Sequence, residues 1–353
     1  MRPILTRRSI LAAGTAALAM PSVWPRPARA AGQLIVRNPG GAWDETQRRY
    51  IYDPFTKETG VEVVVVASTM TKMLAMVKSG NTELDVADAG FDGLVTLDRT
   101  GALQPIDFAG WKRADPNDIP KEYKTANTAA MALYATVLGY NKETFAEGKQ
   151  PKSWAEFWDA AKFPGARMLE DMAGGTPNLE FALIADGVPM DKVFPIDIDR
   201  AFRSLSRIKP QIKKFWDTGA LSAQMLADKD VVLGSIWNGR LQAIANKGAP
   251  VAIEWNQHML QLQGYGIFKD AKNQKEAQLF VDYAMTAKAQ VGLAQELNYG
   301  PTNRKTFGML TADVIAKLPG SPQRLTQSFL QDANWWDENR AKANSVWSKW
   351  ILS

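Results

Sequence analysis

Short runs of β-branched and apolar residues alternate along this chain with segments that open on a capping side chain and close on glycine. Few folds accommodate that alternation. Val61-Glu-Val-Val-Val-Val-Ala67 is the densest run, and its residues favour a half-buried strand. Gln33–Val36 reads as the strand before it. Asp44 reads as the cap of a helix running to Thr59 and ended by Gly60. Ser68 or Thr69 caps a second helix, to Ser79, before Gly80. A brief strand over Asp85–Ala87 leads into a loop, Asp88–Gly93, and then a helix over Leu94–Thr100. Strands separated by helices build right-handed βαβ units. The expected class is therefore α/β, mostly parallel sheets with helices on both faces.

The pattern recurs further on. Ala135–Tyr140, Arg167–Glu170, Val231–Trp237 and Val251–Trp255 read as strands. Trp154–Ala161, Asp199–Trp216 (interrupted at Pro210) and Lys275–Ala287 read as helices. Trp336, Arg340, Ala343, Trp347 and Trp350 follow helical spacing, which predicts a C-terminal helix packing an apolar stripe. No Gly/Ser linker separates the halves, so two lobes joined by crossing strands are expected. Ligands of open α/β sheets sit beyond the carboxyl ends of strands. That draws attention to Asn38–Trp43, Asp88–Gly93 and Trp237–Gly239.

Composition narrows the chemistry. The chain of 353 residues has no cysteine and one histidine, His258, which excludes thiol nucleophiles, disulfides and multi-histidine metal sites. The basic excess resides in residues 1–30, with five arginines and no acid; removing them leaves 37 basic against 37 acidic residues. The remainder is neutral, so the charge argument for nucleic acid or anionic lipid disappears. Residues 1–30 themselves have a basic start, an apolar stretch over Ile10–Met20 and an Ala28-Arg29-Ala30 end, the layout of a cleaved secretory signal cut before Ala31. Thr6-Arg7-Arg8-Ser9-Ile10-Leu11 matches a twin-arginine export pattern. The expected location is the periplasm.

Several landmarks then carry a family resemblance: Pro54-Phe-Thr-Lys-Glu-Thr-Gly60 before the valine-rich strand, Gly101-Ala-Leu-Gln-Pro-Ile-Asp107, Ser153-Trp-Ala-Glu-Phe-Trp158 before Phe163-Pro-Gly-Ala, Gly234-Ser-Ile-Trp-Asn-Gly239 and Tyr299-Gly-Pro-Thr-Asn303. Together they resemble periplasmic solute-binding proteins of ABC importers, specifically the spermidine/putrescine-binding branch. The resemblance implies a two-lobed type II binding protein: residues 31–135 with 264–308 form one lobe, 136–263 the other, and 309–353 a helical segment packed on a lobe. It implies ligand loops at Asn38, Gly40, Gly41 and Trp43, at Ser68 and Thr69, and at Gly90, Phe91 and Asp92. On the other lobe it implies Asp171 and Trp237, with His258, Gln261 and Gln263 in the crossing segment and Tyr299 late in the chain. Where the branch has a first-loop aromatic, this chain has Pro39-Gly40-Gly41. Where it has a crossing-segment aromatic and aspartate, this chain has Gln261 and Gln263. Losing that aspartate removes a strong partner for a polyamine.

Each residue has a plain alternative. Trp237 and Tyr299 serve either as flat cleft walls or as core aromatics. Gly40 and Gly41 make a turn or bring backbone N–H donors to a carboxylate. Asp88, Asp92, Glu170 and Asp171 neutralise a cation, or cap helices and sit at the surface. His258 bonds a ligand or is structural. No oxygen-imidazole cluster for iron is evident, so no metal or cofactor is expected. The expected function is a monomeric, non-catalytic receptor that captures a small polar nitrogen-containing solute, closes on it and presents it to a membrane permease. A receptor for an opine, amino-acid derivative or sugar acid is the alternative within the class. An exported enzyme on the same scaffold, or an interaction protein with an empty cleft, are the alternatives outside it.

Overall fold

The computed structural model describes residues 32–353; the expected export signal lies outside the described residues. The strands, in chain order, are β1 (Gly32–Arg37), β2 (Val61–Val66), β3 (Val86–Gly90), β4 (Leu103–Gln104), β5 (Thr128–Asn141), β6 (Arg167–Glu170), β7 (Ile212–Trp216), β8 (Leu233–Trp237), β9 (Val251–Phe268), β10 (Gly300–Pro301) and β11 (Ser328–Leu330). They pair in the order β2-β1-β3-β9-β5-β8-β6-β7, with β4 and β11 on β9 and β10 on β5. β1 is parallel to β2 and β3, and β6 is parallel to β7 and β8. Between these parallel ends run two long strands, β5 with 14 residues and β9 with 18. The far half of β9 pairs with β3, whereas the far half of β5 pairs with β8. Each long strand thus serves both ends of the sheet, and the molecule is a two-lobed α/β protein whose lobes share these crossings.

The first lobe packs Leu34, Val36, Phe55, Val86, Leu94, Tyr265 and Phe280 into its core. On the second lobe a separate core contains Leu169, Phe181, Phe202 and Leu233 together with Trp336, Trp347 and Trp350. Those tryptophans come from the C-terminal helix Ala333–Trp350, whose predicted stripe is buried at Trp336, Ala343, Trp347 and Trp350. Apolar area removed from water contributes roughly 25 cal/mol per Å², so this indole-rich stripe fastens the helix to the second lobe.

Local chemistry explains most element ends. Thr69 Oγ1 accepts from Lys72 N at the start of the helix Met70–Ser79, and Ser153 caps Trp154–Trp158. Gly60 ends its helix at φ 77°, a left-handed conformation that a side chain resists.

Three expectations need correction. Asp44 does not cap the first helix: that helix starts at Gly41, and Asp44 lies in its first turn, paired with Arg48 at 2.9 Å. The loop expected over Asp88–Gly93 is not a loop, because β3 continues to Gly90 and the next helix starts at Phe91. Its buried small residues suit a central strand. The helix expected to reach Trp216 stops at Ile208, and Ile212–Trp216 is β7. Pro210 lacks the N–H a helix needs, so the chain turns there and β7 finds its partner in β6.

Candidate functional site

Strand ends and crossings bring five aromatic rings into one run. Trp43 lies 5.7 Å from Tyr299, Tyr299 lies 6.0 Å from Tyr134, and Tyr134 meets Trp237 edge to face at 6.4 Å. Trp237 in turn meets Trp216 edge to face at 5.3 Å. Trp43 sits just beyond β1, Tyr134 lies on the crossing strand β5, and Trp216 and Trp237 end β7 and β8. The run therefore spans from the first lobe to the second. Trp237, Tyr134 and Tyr299 are half-buried rather than sealed in the core. Gly40 and Gly41 adopt φ 85° and 64° beside this run, and open space surrounds the place where their side chains would be.

One end of the wall is set by a buried carboxylate. Asp88 accepts from Trp43 Nε1 at 2.7 Å, Gln47 Nε2 at 2.6 Å, Gln263 Nε2 at 2.5 Å and Asn38 Nδ2 at 3.4 Å. Burial raises its pKa, and the bonds from Trp43, Gln47 and Gln263 oppose the rise. Arg37 ties the neighbouring loops through Ser68 O at 2.8 Å and Asp88 O at 2.5 Å. Asp88 thus orients Trp43 and Gln263 from beneath and has no accessible oxygen for a solute cation.

The Tyr134 hydroxyl marks the polar part of the wall. A side chain at Gly90 would meet Asp92 Oδ1 at 2.8 Å, with the Tyr134 hydroxyl at 3.8 Å and Gln263 Oε1 at 3.9 Å. Burial, and then the charges of Asp92, Glu170 and Tyr299, hold the Tyr134 pKa well above its ordinary value. Glu170 is itself fully buried, and desolvation pushes its carboxyl well above the usual range. Asp92 bonds Arg340 at 2.8 Å, and Arg340 also donates to Gly175 O at 2.8 Å. Asp92 belongs to the first lobe and Arg340 to the helix fixed on the second, so this pair crosses between the lobes.

The remaining expected residues divide. Trp43, Gly40, Gly41, Gly90, Asp92, Trp237, Gln263 and Tyr299 gather around the wall. Asn38 is fully buried, donating to the Tyr52 hydroxyl at 2.8 Å and accepting from Gly40 N, so it shapes the loop from inside. Phe91 is a core residue of the first lobe. Thr69 is spent on its helix cap, Ser68 Oγ lies 3.4 Å from Thr69 O, and Asp171 accepts from Ala173 N within its own turn. His258 is fully buried, its Nδ1 2.7 Å from Trp255 O, and burial lowers its pKa to about 4. It is therefore a neutral structural ring. Gln261 accepts from Thr136 Oγ1 at 2.8 Å and reaches Gln331 at 3.4 Å, making a buried ladder rather than a free amide. Cavities of about 220 and 310 Å³ lie away from the wall, one beside Trp255 and Arg324, the other beneath Lys72 and Met76.

Reading the sequence missed Tyr134 and Gln331, and it placed Arg340 only in the stripe of the last helix. Tyr134 lies in an alanine-rich half of β5 whose composition carries little strand signal.

Comparison with known proteins identifies the family. Residues 51–318 match the bacterial extracellular solute-binding protein family. The chain belongs to that family. Its members bind solutes and deliver them to ABC importers; they are not enzymes. A γ-aminobutyric acid-binding protein of Pseudomonas aeruginosa is 30% identical over 325 residues, covering 90% of each chain. An ABC transporter substrate-binding protein from Bradyrhizobium japonicum superposes with a TM-score of 0.84 at 33% identity, over 91% of this chain and 99% of that one. The Escherichia coli spermidine/putrescine-binding periplasmic protein is 24% identical, covering 82% of this chain and 88% of its own. This solute-binding chain thus has relatives for a zwitterionic amino acid and for polyamines.

Proposed function

We propose that this solute-binding protein works in the periplasm and captures a small amine-bearing solute between its lobes. Its lobes are residues 31–135 with 264–308, and 136–263. Residues 1–30 export it by a twin-arginine-type signal cut before Ala31, and the closed monomer presents its cargo to the permease. One observation carries the ligand class: the aromatic run Trp43–Tyr299–Tyr134–Trp237–Trp216 spans both lobes, and Asp92 Oδ1, the Tyr134 hydroxyl and Gln263 Oε1 meet around Gly90 beside it. Ring faces attract an ammonium and cover methylenes, and an acidic neighbour strengthens the preference. A solute touching both lobes stabilises the closed state by its differential affinity. The relatives' solutes, γ-aminobutyrate and polyamines, share this amine.

Isothermal titration of the mature protein with γ-aminobutyrate, putrescine, spermidine and an opine tests the reading. At least one amine is expected to bind with roughly micromolar affinity, about −8 kcal/mol. Binding by none of them refutes it.

A further inference from the structure

Away from the aromatic wall, the second lobe carries another recess. The helix Asn238–Ala245 and the start of β9 form one side of it. The segment with the short helices Ala312–Ile315 and Pro322–Leu325 forms the other. Gln242 Nε2 donates to Lys317 O at 2.8 Å and ties the two sides together. The cavity between them measures about 220 Å³, and its floor is apolar: Leu241, Ala245, Ala252, Ile253 and Ala316. A dry cavity of about 150 Å³ takes up benzene, so this one has room for a ring and one small polar group.

The charge around the recess is positive. Arg324 lies over the Trp255 ring, its guanidinium carbon 4.7 Å from the ring centre. Among the described residues its side chain makes one hydrogen bond, from Nη2 to Ala316 O at 3.3 Å, and no ion pair. Lys317 also lines the recess, is exposed, and has no ion pair among the described residues. No acid lines the cavity. Glu254 is the acid whose charge acts on Arg324, and its oxygens already accept from Gln150 Nε2 at 3.1 Å and Asn256 N at 2.9 Å. Burial lowers the Arg324 pKa and Glu254 opposes the fall, but a guanidinium keeps its charge. A cation stripped of part of its water gains more from an arriving anion than one in open solvent. The stack on Trp255 also fixes the plane of the fork, the geometry that holds a carboxylate through two parallel bonds. An arginine lying on a tryptophan needs only to cover it; packing of that kind calls for neither the apolar recess alongside nor the second cation.

We propose that this recess is a second ligand site, separate from the cargo wall, for a small carboxylate with a compact apolar body. Arg324 pairs with the carboxylate, Lys317 adds a second positive charge, and the apolar floor takes the body. The bound acid bridges the helix that follows Trp237 to the segment leading into β11, alongside the Gln242–Lys317 bond.

Benzoate, with neutral benzamide as its control, tests the site on the mature chain by ligand-detected NMR. Benzoate is expected to bind with a dissociation constant of about 1 mM or tighter. Benzamide is expected to bind about tenfold more weakly or worse, the usual worth of a charged hydrogen bond. Arg324→Gln should weaken benzoate by about the same factor, and Arg324→Lys should keep part of the affinity. Ala316→Leu fills the recess from its exposed rim and should abolish binding. It leaves Arg324 in place on Trp255, so it decides the matter where Arg324→Gln fails to melt cooperatively. Trp237→Ala should leave benzoate binding unchanged. Absence of saturable benzoate binding by the wild type overturns the proposal, as do equal binding of benzoate and benzamide and unchanged benzoate affinity in a folded Arg324→Gln or Ala316→Leu protein. Loss of benzoate binding in Trp237→Ala assigns the acid to the wall and overturns it too. None of these results bears on the amine cargo, which is titrated separately.

Discussion

The Arg340–Asp92 pair should act on closure rather than on folding. The C-terminal helix is fastened to the second lobe by Trp336, Trp347 and Trp350, yet it also reaches the first-lobe helix Phe91–Arg99. Arg340 meets Asp92 at 2.8 Å, Arg99 meets Asp337 at 3.0 Å and Glu338 at 2.6 Å, and Thr96 bonds Asp337 at 2.5 Å. The side chains of Arg340 and Asp92 are 35% and 37% exposed, so their attraction is screened. A pair in that setting contributes about 0.5–1 kcal/mol, which is about a two- to fivefold shift between closed and open forms. Arg340→Ala also loses its bond to Gly175 O and its position over the Trp336 ring, both inside the second lobe. A double-mutant cycle with Asp92→Asn separates those losses from the interlobe contact. The readouts are the affinity for whichever amine binds best and the small-angle scattering radius without solute. Each single variant should lower affinity and enlarge the unliganded radius, with a coupling of the stated size. Strictly additive effects together with an unchanged radius would refute the argument.

Other outcomes follow from single residues. Trp237→Ala should weaken solute binding at least tenfold while the protein still melts cooperatively, because the ring is half-buried at the wall; unchanged affinity in titration would remove it from the site. Asp88→Asn should lower the melting temperature, because the new NH₂ group replaces one of the two acceptor oxygens and opposes either the Gln263 donor or the Trp43 and Gln47 donors, leaving buried groups unpaired at about 1–3 kcal/mol. Burial raises Glu180 from 4.5 to about 7 in the folded protein. Its contribution is thus complete below about pH 4.5 and is lost as pH rises through 7, a loss on the order of 3 kcal/mol. Glu180→Gln keeps an acceptor for Trp336 and should flatten that decline in melts between pH 5 and 8; parallel wild-type and variant profiles would refute the assignment. His258 has the opposite sign. With its pKa lowered to about 4, it stabilises above about pH 6.5 and loses that contribution as pH falls through 4, so the Glu180→Gln protein should still weaken in acid.

The parts of this protein written in local chemistry were legible along the chain. The valines of β2, the Thr69 and Ser153 caps, the left-handed glycine at 60 and the tryptophan stripe of the last helix each depend on neighbours a few residues away. Strand ends also follow from such patterns, which is why the loops holding Trp43 and Trp237 could be named, whereas Tyr299 was reached only through the family resemblance. What tertiary structure alone decided is what each polar group faces. Asp88 became an internal anchor because Gln263 arrives from 175 residues away, and Asp92 became an interlobe partner because Arg340 arrives from 248. Ile212–Trp216 became a strand because β6 offered an open edge, and His258 became neutral because the fold buried it. A side chain's charge, freedom and direction depend on what is packed against it, and those neighbours come from distant stretches of chain.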